Sequence, residues 1–127
     1  MSAETILVVE DNPVNQKLLL VVLQAQGYKL LTAKDGEEAV NLATREHPNL
    51  ILMDLQLPKL NGFAATQIIK SQCETAEIPV VALTAHTLPE EWRRVEDAGF
   101  SGFITKPINT RAFPTQIRQF LDGDLQD

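Results

Sequence analysis

The sequence predicts an α/β fold in one domain: an open, parallel five-stranded sheet with helices on both faces. Three observations carry that expectation. Short apolar, often β-branched runs alternate five times with longer segments of helical character. No repeat, low-complexity tract or linker breaks the alternation. A length of 127 residues is enough for one real core but not comfortably for two.

The elements follow in order. "TILVVE" (5–10) is a buried strand by its β-branched, apolar content. Asn12 and Pro13 then read as an N-cap and a first-turn proline, opening a helix that runs to about Gln26 and stops at Gly27. That helix is apolar over "LLLVVL" (18–23), more than one face at helical period, so most of it is expected to be buried. "KLLTA" (29–33) is a second strand and "DGEEAVNLATRE" (35–46) a second helix ended by Pro48. "LILMD" (50–54) is the third strand. After the turn "LPKLNG", "FAATQIIKSQ" (63–72) forms a third helix. "IPVVALT" (78–84) is the fourth strand, and Thr87 with Glu90 stands as a capping box opening "PEEWRRVEDA", which Gly99 stops. "GFIT" (102–105) is the fifth strand. "RAFPTQIRQFL" (111–121) is a fifth helix that Pro114 should distort or restart.

Composition narrows the function. With 44% hydrophobic and 22% charged residues the chain resembles an ordinary soluble globular protein. The start shows no basic leader or cleavage site, and the longest apolar run is far too short to span a bilayer, so no membrane partner is expected. A single cysteine, Cys73, excludes an internal disulfide framework and fits a reducing cytoplasm. The net charge of −6 argues against nucleic acid, which needs clustered cations, and the pair Arg93–Arg94 reads as a solvated helix face.

In an open parallel sheet, ligands bind beyond the carboxyl ends of the strands. There the first strand delivers Glu10 and Asp11, the third Asp54, the fourth Thr84, and the fifth runs into Thr105 and Lys106. The second ends at Ala33 with nothing chemical. Two carboxylates about 4 Å apart repel by roughly 4 kcal/mol at an effective dielectric of about 20. Three in one pocket need more than Lys106 to stay ionised, and a hard divalent cation such as Mg²⁺ completes the set. The chemistry suggested is phosphoryl transfer. His47 falls on the opposite sheet edge and His86 in a loop near the site, and no serine or cysteine nucleophile stands beside a histidine base. The best nucleophile is therefore a carboxylate forming an aspartyl phosphate, and rigid placement on a central strand favours Asp54.

These residues are recognisable as a set. "VVEDNP", "LMDLQLP…NG", "ALTAH" and "ITKP", in this order, resemble the receiver domain of two-component response regulators, the CheY-like family, across about residues 5–121 of the single domain 1–127. The resemblance implies a three-layer, flavodoxin-like (βα)5 fold with strand order 2-1-3-4-5. It implies that Asp54 accepts a phosphoryl group from a phosphohistidine on a histidine kinase or histidine phosphotransfer protein. Asp11, Asp54 and the backbone carbonyl of Gln56 would bind Mg²⁺ (or Mn²⁺), with Glu10 reaching it through water. Glu10 departs from the commoner aspartate, lengthening the reach while keeping the charge. Lys106 would pair with phosphoryl oxygens, Thr84 would swing toward them, and Phe103 would follow as an aromatic switch. Gln56 and His86 would tune how long the phosphoryl group survives, and self-dephosphorylation would be the only turnover.

Two surfaces are expected to meet partners. Asn12, Val14, Asn15 and Leu18 lie at helical spacing beside the acidic pocket and would dock the helix presenting the phosphohistidine. Trp92, Phe103 and Phe113 fall on the face of the fourth helix, fifth strand and fifth helix, which similar proteins use to bind a downstream protein or a second copy. Two other functions stay open. A Mg²⁺-dependent phosphatase of the haloacid dehalogenase kind would want a second acid two residues after the nucleophile, where Gln56 stands. A flavin or nucleotide binder would want a glycine- or hydroxyl-rich cradle where "VEDNPVNQ" presents acids and a proline. The short tail "DGDLQD" suggests a free-standing receiver, while "VEDNPVNQ" resembles the opening of many hybrid-kinase receivers.

Overall fold

The computed structural model describes residues 4–55, 57, 60–84, 89–106 and 108–122, with the side chains of 89–92 excepted. In chain order the elements are β1 (Thr5–Val9), α1 (Pro13–Ala25), β2 (Lys29–Ala33), α2 (Gly36–Glu46), β3 (Leu50–Asp54), α3 (Gly62–Ser71), β4 (Val80–Thr84), α4 (Pro89–Asp97), β5 (Gly102–Thr105) and α5 (Phe113–Leu121). The strands form one parallel sheet of order β2-β1-β3-β4-β5. That is the flavodoxin-like order the resemblance implies.

The central strands are buried on both faces, which is why they read as continuous apolar runs rather than alternating ones. Their side chains divide by parity into two cores. Ile6, Val8, Leu50, Leu52, Val81, Leu83 and Ile104 pack with Leu19 and Leu23 of α1 and Ile117 and Phe120 of α5. Leu7, Val9, Ile51, Met53, Val80 and Ala82 pack on the other side with residues of α2, α3 and α4. The same parity keeps Glu10 in step with Ile6 and Val8, and Asp54 in step with Leu50 and Leu52. Thr84 instead keeps step with Ala82, whose register partner is Phe103.

Helix ends follow the local chemistry. Asn12 caps α1 by accepting hydrogen bonds from the Val14 and Asn15 amides at 2.9 and 3.1 Å, and Gly27 turns the chain at φ 88°. Asp35 caps α2 by accepting from the Glu38 amide at 2.8 Å, while the Glu38 side chain accepts from the Lys34 amide, one residue before the cap, at 2.9 Å. At the far end of α2, His47 takes the left-handed conformation (φ 48°) just before Pro48. Gly99 closes α4 at φ 99°.

Four expectations need correction. β1 ends at Val9 and β4 begins at Val80, so Glu10 and Ile78 lie just outside the ladder. α5 begins at Phe113, not Arg111, and Pro114 sits in its first turn, where a missing amide costs nothing and no distortion is needed. Phe113 is not on a partner face: it is fully buried, in step with Ile117 and Phe120 on the inward side of α5. Finally, α1 is not mostly buried. Val14, Leu18 and Val21 are 76%, 41% and 56% exposed, because the sheet takes only the side carrying Leu19 and Leu23. The capping residue Thr87 lies outside the described residues.

Candidate functional site: an acidic cleft at the strand ends

Glu10 follows the last residue of β1 and is only 1% exposed. Its amide donates to the Ala33 carbonyl at 3.0 Å, so the chemically silent end of β2 anchors it after all. Gln16 Nε2 on α1 donates to the Glu10 carbonyl at 3.2 Å. Asp54 ends β3, 6% exposed, held in register with Leu83 of β4. Lys106 follows β5, and its amide donates to the Thr84 carbonyl at 2.8 Å. The parallel register thus delivers three charged side chains from β1, β3 and β5 to one point.

There the Lys106 ammonium donates to Asp54 Oδ2 at 3.0 Å and stands 3.1 Å from Glu10 Oε1. The second contact is an ion pair but not a well-directed hydrogen bond, so Glu10 Oε1 is a buried carboxylate oxygen without a directed donor among the described residues. Oε2 accepts a long bond from the Asn12 amide at 3.4 Å. Burial pushes Glu10 up from 4.5 to about 7, helped by its hydrogen bond to and repulsion from Asp54, and opposed by Lys106. Burial alone would pull the Lys106 ammonium down, but its hydrogen bond to Asp54 and its ion pair with Glu10 outweigh that and hold it above its ordinary value.

Glu10, exposed Asp11 and Asp54 each offer an oxygen within 4.8 Å of the others. Three carboxylates facing one ammonium, one of them with a buried undonated oxygen, fit a small hard cation better than they fit each other. Beside them opens a cleft of about 340 Å³ lined by Glu10, Asn15, Leu18, Leu19, Leu83, Lys106 and Ile108. A shallow apolar groove continues along α1 past Pro13, Val14, Lys17, Leu18 and Val21.

Of the residues read from the sequence, Glu10, Asp11, Asp54 and Lys106 are brought together. Thr84 is buried at the end of β4 on the parity of the opposite core, and Phe103 is half-buried against that same core. Asn15 and Leu18 reach the cleft and Val14 the groove, while Asn12 caps α1. Gln56 and His86 lie outside the described residues, as does the Trp92 side chain. Ile108, Gln16 and Val21 were missed. Val21 carried a signal, standing seven residues after Val14, whereas Ile108 is placed only by the fold.

Comparison with known proteins agrees with this geometry. Residues 6–118 match the response regulator receiver domain. The polar-differentiation response regulator DivK of Brucella ovis is 38% identical over 121 residues, covering 95% of this chain and 98% of that protein. The receiver domain of the sensor histidine kinase PA1611 from Pseudomonas aeruginosa PAO1, with a magnesium ion coordinated in its active site cleft, superposes with a TM-score of 0.88. It is 34% identical, over 95% of this chain and 99% of that one. The chemotaxis protein CheY4 of Vibrio cholerae gives a TM-score of 0.88 at 26% identity, over 93% of this chain and 98% of that one. The chain belongs to the response regulator receiver domain family, the receiving modules of two-component signalling. The phosphatase alternative finds no support among these relatives. No helix among the described residues is long and apolar enough to cross a membrane.

Proposed function

We propose that this domain accepts a phosphoryl group on Asp54 from a phosphohistidine and uses it to change the surface presented to a partner. The observation that carries the reading is the Lys106 ammonium set 3.0 Å from Asp54 and 3.1 Å from Glu10 at the mouth of a buried acidic pocket. A carboxylate oxygen of Asp54 attacks phosphorus in line, the P–O bond forms, and the P–N bond breaks with its electrons returning to the imidazole. Lys106 is placed to follow the phosphoryl oxygens as charge moves onto them. Glu10, Asp11 and Asp54, with the Gln56 carbonyl, would hold Mg²⁺ (or Mn²⁺), which when bound supplies the positive charge that the phosphoryl oxygens need. The donor is a histidine kinase or histidine phosphotransfer protein that seats a helix on the α1 groove beside Asn15 and Leu18.

The output follows from the new charge. A phosphoryl group adds about −1.5 to −2 charge and three strong acceptors. Thr84, one strand away, is drawn toward it, and Phe103, on the same side of the sheet, follows. The α4–β5–α5 face then binds a downstream protein or a second copy, with Trp92 and Phe103 in contact and the buried Phe113 only supporting from beneath. Gln56 and His86 set the lifetime against self-dephosphorylation, in the cytoplasm. The test is phosphotransfer from a labelled phosphohistidine protein in Mg²⁺. Label should pass to the wild type and not to Asp54→Asn; equal labelling of both would exclude Asp54.

A further inference from the structure

Two glycines outside the acidic cluster lie against the backbone that follows Asp54, Gly62 at Asp54 and Leu55 and Gly36 at Leu60. A Cβ on Gly62 would lie 2.9 Å from Leu55 Cα and closer still to the Asp54 carbonyl oxygen. A Cβ on Gly36 would lie 2.8 Å from both the carbonyl carbon and the Cβ of Leu60, and closer still to the Leu60 carbonyl oxygen. Neither glycine has positive φ, so space rather than backbone freedom requires them. Both are first residues of helices, and each follows a capping side chain that fixes its position. Asp35 is bonded to the Glu38 amide at 2.8 Å, and Asn61 to the Ala64 amide at 2.9 Å. The Gly62 amide also donates to the Leu55 carbonyl at 3.2 Å. Leu57 and Leu60 pack into the core shared by α2 and α3.

We infer that Gly36 and Gly62 are positioning residues. The start of α2 holds the chain at Leu60 and the start of α3 holds it at Asp54 and Leu55, and those two holds set where the Asp54 and Leu55 carbonyls stand. Gly62 acts directly on the phosphoacceptor's own peptide. Gly36 acts through Leu60 at the other end of the connection, from a helix that contributes no residue to the acidic cluster. A methyl group at either place has no flexible side-chain tip to displace; it meets backbone, so the connection itself must move. The sequence marks both places in the same way, as "DG" and "NG" at a helix start. The inference rests on the reading of Asp54 as the metal-assisted phosphoacceptor.

The experiment compares the wild-type domain, Gly36→Ala, Gly62→Ala and, as control, Gly27→Ala, whose positive φ strains the backbone but whose Cβ would meet nothing within 4 Å. Mg²⁺ binding is followed by backbone amide NMR, and acetyl phosphate labelling by intact mass. The expected result for Gly36→Ala is Mg²⁺ binding weakened about tenfold, as for groups that orient metal ligands. Labelling should slow, and the Leu55 amide should shift in metal-free protein. Gly27→Ala should lose stability while binding Mg²⁺ as the wild type does. Wild-type affinity in Gly36→Ala, or equal weakening in Gly27→Ala, would overturn the assignment. A wild type that takes up neither Mg²⁺ nor phosphate would bring down the phosphoacceptor reading first and the glycines' role with it. Hydrogen exchange on the unmodified protein needs no variant to fold: the Gly62 amide should exchange as slowly as amides of β3, and fast exchange would mean that no such hold exists.

Discussion

Lys106 faces Glu10 at 3.1 Å while donating its directed hydrogen bond to Asp54 at 3.0 Å. One ammonium therefore serves two buried carboxylates, and the second is served poorly. Burial and the neighbouring Asp54 raise Glu10, the Lys106 contact offsets them only in part, and the pocket is a place where a further cation is stabilising.

Glu10 gives the first prediction. Its folded value of about 7 lies above the ordinary 4.5, so the folded chain holds a proton that the unfolded chain releases. The resulting stability is present below the unfolded value and is lost as pH rises through about 7. In metal-free buffer, urea midpoints of the wild type should fall relative to Glu10→Gln between about pH 5 and about pH 8. Millimolar Mg²⁺ should narrow the gap by giving the ionised form a partner. Parallel profiles at every pH would mean that Glu10 does not titrate there.

Lys106→Met tests the same pair from the other side. Lys106 holds Glu10 down, so its removal should drive the Glu10 titration above about 7, read by carbonyl-carbon NMR. An unmoved midpoint would show that the ion pair contributes nothing to the site's electrostatics.

The groove on α1 predicts a split between donors. Val21 is 56% exposed, so Val21→Asp should alter stability by less than about 0.5 kcal/mol. Transfer from a phosphohistidine protein should nonetheless slow by about tenfold, since burying an unpaired charge against an apolar helix is costly. Labelling by acetyl phosphate should be unchanged. Equal loss with both donors would place the effect in the chemistry rather than in docking.

Phe113 tests the corrected core. Fully buried between α5 and the sheet, it should cost about 3–5 kcal/mol when replaced by alanine, measured by urea unfolding. A cost below about 1 kcal/mol would fit a surface residue instead.

Much of this was legible because charge and burial conflict visibly at the strand ends. "LILMD" and "TILVVED" are apolar runs closed by acids, and a central strand leaves no place for those acids except its mouth. What could not be read is direction around a helix. "LLLVVL" on α1 fills every face, and only the sheet's position selects Leu19 and Leu23 for the inside while leaving Val21 out. Phe113 likewise precedes a proline that reads as a break, until α5 is seen to begin there. Gly36 was hidden for another reason. "DG" marks the helix start, but the need for glycine there lies in a backbone atom of Leu60, which is distant in sequence.

The central claim is that Asp54 is the phosphoacceptor. The most direct measurement is site mapping: label the protein with acetyl phosphate in Mg²⁺, reduce the acyl phosphate with tritiated borohydride, and locate the tritium by peptide sequencing. The account predicts tritiated homoserine at position 54 and none in Asp54→Asn. Tritium at position 10 or 11 with position 54 unlabelled would contradict it.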